Sequence, residues 1–401
     1  MPDSHPPTRS LFSKKHRRRH DGLRMVVTGQ VGLAKKSFLQ RVVEIAKENG
    51  RDVSLFNVGD RMYDEAPDIA PGRILDLPRQ RLTTLRRSVF KDILAECTPG
   101  KNIIVNTHAT FRWKHGLFLA YDHVQMEALD ADLYVTVVDN VDALHERLMR
   151  EHAIAHTLKD ILVWREEEIV VTEAMAEAIA GYGQAFVVSR GVGDITARSL
   201  YRLMFEPDRK KVYPSYPMTH VLDQPAVLAE IEAFRDRLAE DFTTFDPSDV
   251  DEKRLLIEAD RAVERGDKTI EIAVNGRTLS LDVAEVHRVA GDIDGQIYAR
   301  DFKLIDQSDM IVSYIPQLPG GRPAISSGVE RELQHAFEAT KEVYVVWKPE
   351  QEPSPFVTKT ATGVFPSVDE LFAEFRRLGY LGDYQLRLDG AAGDQDRGAK
   401  S

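Results

Sequence analysis

The chain has 401 residues, enough for two or three domains, with 43% hydrophobic and 29% charged side chains, an ordinary soluble mixture. Its net charge of −11 disfavours nonspecific nucleic-acid binding by the whole surface and leaves small nucleotides open, since these need only a local positive pocket. No apolar run reaches the roughly 18 residues that span a membrane, and the single Cys97 rules out an intrachain disulfide and fits a reducing cytoplasm.

Residues 1–24 carry Pro, Ser and the cluster Lys14-Lys15-His16-Arg17-Arg18-Arg19-His20, with no apolar segment of the kind a secretory signal needs; they read as a disordered basic arm. Met25 to Thr28 is a short buried-strand run. Gly29-Gln30-Val31-Gly32-Leu33-Ala34-Lys35-Lys36-Ser37 follows, and then an amphipathic helix from Phe38 to Asn49. Strand, glycine-containing loop and helix is the context of a phosphate-binding loop, in which backbone N–H groups wrap phosphate oxygens and a lysine adds charge. The loop departs from the full pattern: Ala34 stands for its second glycine, Lys36 stands where a Ser or Thr would reach magnesium, and Ser37 is one residue late.

Further strands are expected at Asp52–Phe56, Asn102–Val105, Leu133–Val138 and Phe186–Ser189, with helices at Gln80–Ala95 and from about Ile161 to Ile179. Alternation of this kind argues for a parallel sheet with ligands at the carboxyl ends of its strands. Taken singly, the polar residues at those ends have plain readings. Asp60 is a helix cap, His108 a satisfied buried histidine, and Arg81, Arg86 and Arg87 a solvated helix face. In order along the chain, however, Val26-Val27-Thr28-Gly29, Asn57-Val58-Gly59-Asp60-x-Met62, Asn106-Thr107-His108, His115-Gly116-Leu117 and Arg147 with Arg150 resemble the archaeal-type adenylate kinase family over about residues 25–200. The resemblance implies a P-loop kinase-like domain over 25–205 that binds ATP with magnesium. Gly29, Gly32, Lys35, Lys36, Ser37, Asp60, Thr107, His108, Arg147 and Arg150 would be its nucleotide contacts. Asn106 replaces the family's Asp, and the lid segment His152-Ala153-Ile154-Ala155-His156 lacks the usual extra arginines.

Glu206 to Lys211 reads as a linker, and a second domain is expected over 210–380. It holds the strand beginning at Val212, a helix over Pro225–Glu240, a strand and turn over Phe242–Pro247, a helix over Asp294–Ile305, strands at Met310–Tyr314 and Val343–Trp347, and a closing helix over Ser367–Leu378. Residues 251–293 do not fit that core. Alternation on both sides of Asn275-Gly276 marks a β-hairpin, and the stretch reads as an insertion that covers the site or makes an interface. Leu318 to Pro323 reads as a mobile loop near the substrate mouth or a plain surface connection. The Gly/Ala/Asp-rich end, 386–401, reads as a disordered tail.

A helix opening at Ser326 with Glu332 one turn inside it offers N–H groups to phosphate or sugar oxygens, with a carboxylate beside them that could attack a sugar carbon. It reads equally as a Ser-capped helix with a surface Glu. Asp301, Ser308-Asp309-Met310-Ile311-Val312 and Ser326-x-Gly328-x-x-x-Glu332-Leu333-x-x-Ala336 resemble the nucleoside 2-deoxyribosyltransferase family and its relatives that hydrolyse deoxynucleoside 5′-monophosphates. That resemblance implies a flavodoxin/Rossmann-like domain with no cofactor or metal and a homo-oligomeric assembly. Glu332 would be the nucleophile and Asp301 the proton donor or sugar-orienting group. Tyr213, Ser215, Ser326, Gly328 and Asp309 would be substrate contacts. Tyr216 stands where the family has Gly, and Gln334 replaces another.

The expected fold class is therefore α/β, with two doubly wound parallel-sheet domains and a hairpin insertion in the second. The expected function is cleavage or exchange of the N-glycosidic bond of a nucleoside or its 5′-monophosphate, beside an ATP-binding domain. Small-molecule nucleotides, rather than membranes or nucleic acid, are the expected partners. Two alternatives stand beside it: a nucleoside monophosphate kinase with a noncatalytic second domain, and a non-enzymatic nucleotide sensor.

Overall fold

The computed structural model describes residues 21–382 except 115, 153–155, 192, 219, 220 and 222. Most of the expected basic arm, the whole expected tail, His115 and the middle of the expected lid segment lie outside the described residues. The first half runs β1 (Arg24–Thr28), α1 (Lys35–Glu48), β2 (Val53–Asn57), α2 (Val58–Glu65), α3 (Arg79–Glu96), β3 (Asn102–Asn106), β4 (Thr110–Trp113), β5 (Gly116–Leu119), α4 (His123–Leu129), β6 (Leu133–Val138), α5 (Val141–His152), α6 (Leu158–Ile179), β7 (Ala185–Ser189) and α7 (Ile195–Phe205). The second half runs β8 (Lys211–Ser215), α8 (Pro225–Asp241), β9 (Thr243–Thr244), α9 (Lys253–Arg265), β10 (Thr269–Val274), β11 (Arg277–Asp282), α10 (Val283–Arg288), α11 (Ala290–Asp306), β12 (Met310–Ile315), α12 (Ser327–Glu338), β13 (Glu342–Trp347), α13 (Pro355–Thr358), β14 (Gly363–Phe365) and α14 (Val368–Arg377).

Each half is built on a five-stranded sheet, ordered β2-β3-β1-β6-β7 in the first and β14-β13-β12-β8-β9 in the second. Every ladder in both sheets is parallel. The sequence accounts for this: β1, β6 and β12 are unbroken buried runs without polar alternation, the pattern of strands covered on both faces. In the first sheet the chain leaves β1 toward β2 on one side and later crosses to β6 on the other. The crevice between β1 and β3 is therefore the switch point where open α/β sheets bind ligands. The corresponding crevice of the second sheet lies between β8 and β12.

Several boundaries differ from the sequence expectation for local reasons. Helix α1 starts at Lys35 rather than Phe38, because Ala34 takes a left-handed conformation (φ 52°) as its N-cap. Helix α6 starts at Leu158 rather than Ile161, where Thr157 and Asp160 close a capping box. Leu318 to Pro323 is closed by its own bonds, Leu318 N–H to Arg322 O at 2.8 Å and Gly321 N–H to Leu318 O at 3.1 Å. Among the described residues no helix is long and apolar enough to cross a membrane.

The insertion makes the larger difference. Asn275 and Gly276, at φ 51° and 72°, form the expected tight turn between β10 and β11. The segment belongs to the second half by chain order, yet Leu255, Leu256, Ala259, Ile272, Val274 and Val286 share an apolar core with Leu144, Leu148, Leu158 and Trp164 of the first. Polar contacts agree. Glu252 accepts both Arg165 Nη1 (2.7 Å) and Nη2 (2.9 Å), and it also accepts the Val141 N–H at 2.9 Å. Asn275 accepts from Arg147 Nη2 at 2.8 Å and donates to Ala143 O at 3.0 Å and Glu146 Oε2 at 2.9 Å. A second apolar core runs from β1 and α1 through α7 to Tyr213, Ile311 and Val343, so the two sheets are packed into one body.

Candidate functional site

Ser326 adopts an extended backbone and its Oγ accepts the Val329 N–H at 3.2 Å, which starts α12. The N–H groups of Ser327 and Gly328 lie in the first turn, where no earlier helical carbonyl exists to take them. A Cβ at Gly328 would meet only Ser326 Oγ at 3.6 Å, so that end of the helix is open. One turn on, Glu332 reaches over the carboxyl end of β8. Tyr213 and Ser215, two apart and so on one face of that strand, donate to its two oxygens: Tyr213 OH to Oε1 at 2.9 Å and Ser215 Oγ to Oε2 at 2.6 Å.

Burial pushes the Glu332 carboxyl up to about 7. The Ser215 hydrogen bond opposes that rise, the negative charge of Asp301 adds to it, and the Tyr213 hydrogen bond opposes it again. Asp301 arrives from α11 with its side chain 16% exposed. Burial lifts its carboxyl to about 6 and Asp246 pushes the same way, while Arg300, whose Nε lies 3.5 Å from Oδ1, holds it down. Oδ1 has no hydrogen-bond partner among the described residues. Tyr216 is buried where the resembled family has a glycine, and its hydroxyl donates to Asp246 Oδ1 at 2.6 Å and contacts Ser248 Oγ at 2.8 Å. Arg235 Nε completes this wall with a 2.6 Å contact to Asp246 Oδ2. The structure thus gathers Glu332, Asp301, Tyr213 and Ser215, with Ser326 and Gly328 at the head of the same helix. Asp309 is not with them. It lies at the amino end of β12, where its Oδ2 accepts the Lys211 N–H at 2.8 Å, so the expected substrate contact is a strand-pairing residue. Gln334 points along α12 to Glu338 at 2.8 Å.

In the first half, Gly29, Gly32 and Ala34 all have positive φ (130°, 88° and 52°) and wind the chain from β1 into α1. A Cβ on Gly29 would sit 2.6 Å from Val137 O, which excludes any other residue there. Lys35 folds inward, donates to the Gly29 carbonyl and lies 3.1 Å from His108 Nδ1. Burial lowers its ammonium to about 7, partly offset by the carboxylate of Glu168 and reinforced by Arg86. His108 is held well below its usual value by burial and by the Lys35 and Arg86 charges. A neutral ring with its proton on Nδ1 donates to Gly29 O at 2.6 Å. Thr107 Oγ1 accepts from Arg86 Nη2 at 3.0 Å.

Other expected contacts point elsewhere. Lys36 and Asp60 form an exposed pair at 2.7 Å, and Ser37 Oγ donates back to Ala34 O at 2.9 Å. Arg147 is buried against Asp139 Oδ2 at 2.8 Å, and Arg150 pairs with Glu146 at 3.1 Å and Glu151 at 2.8 Å. Asn106 donates to Asn57 Oδ1 at 2.9 Å. The residues present fit a phosphoryl group. They do not fit magnesium held by a loop hydroxyl, because Lys36 occupies that place and Ser37 is turned onto the backbone.

Two residues at this crevice were missed or misread. Glu168, on α6, accepts Gly29 N–H (2.9 Å), Ala109 N–H (2.8 Å), Thr110 N–H (2.8 Å) and Thr110 Oγ1 (2.6 Å). In sequence it is the last of three consecutive glutamates, a pattern that reads as solvated. Arg86 reads as part of an exposed basic helix face and is 8% exposed in the structure. The only sequence signal for it is its place on the apolar stripe Leu82, Val89, Phe90 and Ile93.

No family model matches the chain. Among solved structures it is similar to a gluconokinase from Sinorhizobium meliloti 1021, at 14% identity and a TM-score of 0.28 over 45% of this chain and 90% of that one. It is also similar to a shikimate kinase from Bacteroides thetaiotaomicron, at 15% identity and a TM-score of 0.28 over 46% of this chain and 97% of that one. At these identities and scores the likeness fixes neither an activity nor a substrate for this chain.

Proposed function

We propose that the second half cleaves or exchanges the N-glycosidic bond of a nucleoside or its 5′-monophosphate, with Glu332 as nucleophile. The observation that carries this reading is the Glu332 carboxylate held by Tyr213 and Ser215 beside a second carboxyl, Asp301, at the carboxyl end of a parallel sheet. Counted within the second half, the strand order is 2-1-3-4-5, the flavodoxin-like order, and the cluster lies at its switch point. In the reaction, a Glu332 oxygen bonds to C1′ as the bond from C1′ to the base nitrogen breaks. The electron pair leaves with the base, which takes up a proton from solvent, and the water or second base that attacks in the next step gives one back. Water or a second base then attacks C1′ and frees the carboxylate. Tyr213 and Ser215 aim the carboxylate and stabilise its charged form. Asp301, held down by Arg300, is substantially ionised at neutral pH and suits the orientation of a sugar hydroxyl as an acceptor. The first turn of α12 offers N–H groups to a 5′-hydroxyl or phosphate. Incubation with a panel of nucleosides and 5′-monophosphates should release free base, and Glu332→Gln should abolish release without unfolding the chain. Retained release in that variant removes Glu332 from the chemistry.

A second reading concerns the first half: it binds a nucleotide such as ATP in the crevice between β1 and β3. The glycine turns of the loop and the inward Lys35 favour it. The crevice suits binding rather than phosphoryl transfer, since Lys36 stands at the place of the loop hydroxyl for magnesium and Arg147 and Arg150 are tied to carboxylates. Calorimetry is expected to show ATP binding that Lys35→Ala weakens, with no ADP formed from ATP–magnesium and a monophosphate. Rapid ADP formation would favour the kinase alternative, and binding without either turnover would favour the sensor.

A further inference from the structure

The first half holds a buried cation that the phosphate-loop pattern does not explain. The guanidinium of Arg86 lies 5.3 Å from the centroid of Phe111, and the hydrogen bond to Thr107 Oγ1 is its one polar contact among the described residues. Thr107 follows directly on β3, and Lys35, 5% exposed, ends the loop that follows β1. The two cations therefore meet at the switch point of the first sheet, from α3 on one side and α1 on the other. The charge of Arg86 is felt at Lys35, and both charges are felt at His108. Glu168 is the carboxylate that reaches both, and its oxygens are already engaged by Gly29, Ala109 and Thr110. Two desolvated cations sharing one carboxylate, with guanidinium donors left over, are a costly arrangement for a fold alone and an effective one for an oxyanion.

We propose that Arg86 and Lys35 together form a phosphoryl-binding site in which Arg86, rather than the tied arginines of α5, supplies the second cation. The proposal rests on the reading of the first half as nucleotide-binding and names its ligand chemistry, a terminal phosphoryl group of a nucleotide or of pyrophosphate. An arriving anion favours the charged form of Lys35. Without an anion, burial and the Arg86 charge, offset in part by Glu168, hold that amine near 7, so binding takes up a proton and weakens as pH rises from 6 to 8.

The test is calorimetric titration of the full chain with ATP and with pyrophosphate at pH 6 and pH 8, for wild type, Arg86→Gln, Arg86→Lys and Lys35→Met, with thermal melts in parallel. Arg86→Gln keeps a donor for Thr107 and loses the charge; it is expected to bind at least tenfold more weakly. Arg86→Lys is expected to lose threefold or more, because an ammonium lacks the guanidinium fork, and wild-type affinity is expected to fall between the two pH values. Wild-type affinity in Arg86→Gln, with binding lost in Lys35→Met, overturns the role of Arg86 and leaves the loop site standing. If Arg86→Gln does not fold, Arg86→Lys decides, and wild-type affinity with wild-type pH dependence in it overturns the proposal. A wild type that binds neither ligand overturns the nucleotide reading of this half and the proposal together.

Discussion

Glu332 is expensive where it stands. Its folded value near 7 against an ordinary 4.5 means that the folded chain binds the proton more tightly than the unfolded one. Stability is therefore lost as pH rises from 4.5 through 7, by up to about 3 kcal/mol. Glu332→Gln should match wild type in thermal melts near pH 4.5 and exceed it at pH 8, while losing activity; a variant less stable than wild type at pH 8 would contradict this. Ala34 bears a different strain, a Cβ in the left-handed region. Ala34→Gly should raise the urea midpoint by a free energy of about 0.5–1 kcal/mol, and a lower midpoint would show that the strain is absent. Residue types were legible in the sequence, but residue directions were less so. Glu332, Asp301, Tyr213 and Ser215 do converge. Asp309, Lys36, Asp60 and Arg150 carry equally suitable groups and use them elsewhere: Asp309 takes the Lys211 N–H between two inner strands, Lys36 and Asp60 pair with each other, and Arg150 pairs with Glu146 and Glu151 on its own helix.

At the scale of elements, the insertion is the part that sequence periodicity located without explaining. Asn275-Gly276 announced the hairpin, since a two-residue turn is a local property. Its docking on α5 and α6 was illegible, because Glu252 meets Arg165 and Asn275 meets Arg147 across more than 80 and 120 residues respectively. Asn275→Ala removes three side-chain hydrogen bonds and puts a residue without the local polar side chain of Asn into a left-handed turn position, so a loss of about 2–4 kcal/mol in urea unfolding is expected. Asn275→Gly keeps the turn and should lose less. Equal losses would assign the whole effect to the hydrogen bonds. The capping box at Thr157 and Asp160 starts α6 earlier than the expected Ile161, and the inward turn of Glu168 within that helix had no local signal either.

The whole molecule is built on two parallel sheets whose central strands the sequence marked as apolar runs, while the edge strands β9 (Thr243–Thr244) and β14 (Gly363–Phe365) carry no such run and β14 was not expected. The apolar core from β1 and α1 to β8 and β12, together with the insertion's grip on the first half, predicts one cooperative unfolding transition in calorimetry rather than two. Two resolved transitions would show that the halves fold independently. A glycosyl ester on Glu332 can be weighed directly. Protein mixed with the nucleoside or 5′-monophosphate that yields free base, acid-quenched within the first turnover, is digested and weighed by mass spectrometry. A pentosyl mass increase confined to the peptide that contains Glu332 and absent from Glu332→Gln is expected. Base release that proceeds with no adduct, and at the same rate in Glu332→Gln, would contradict it.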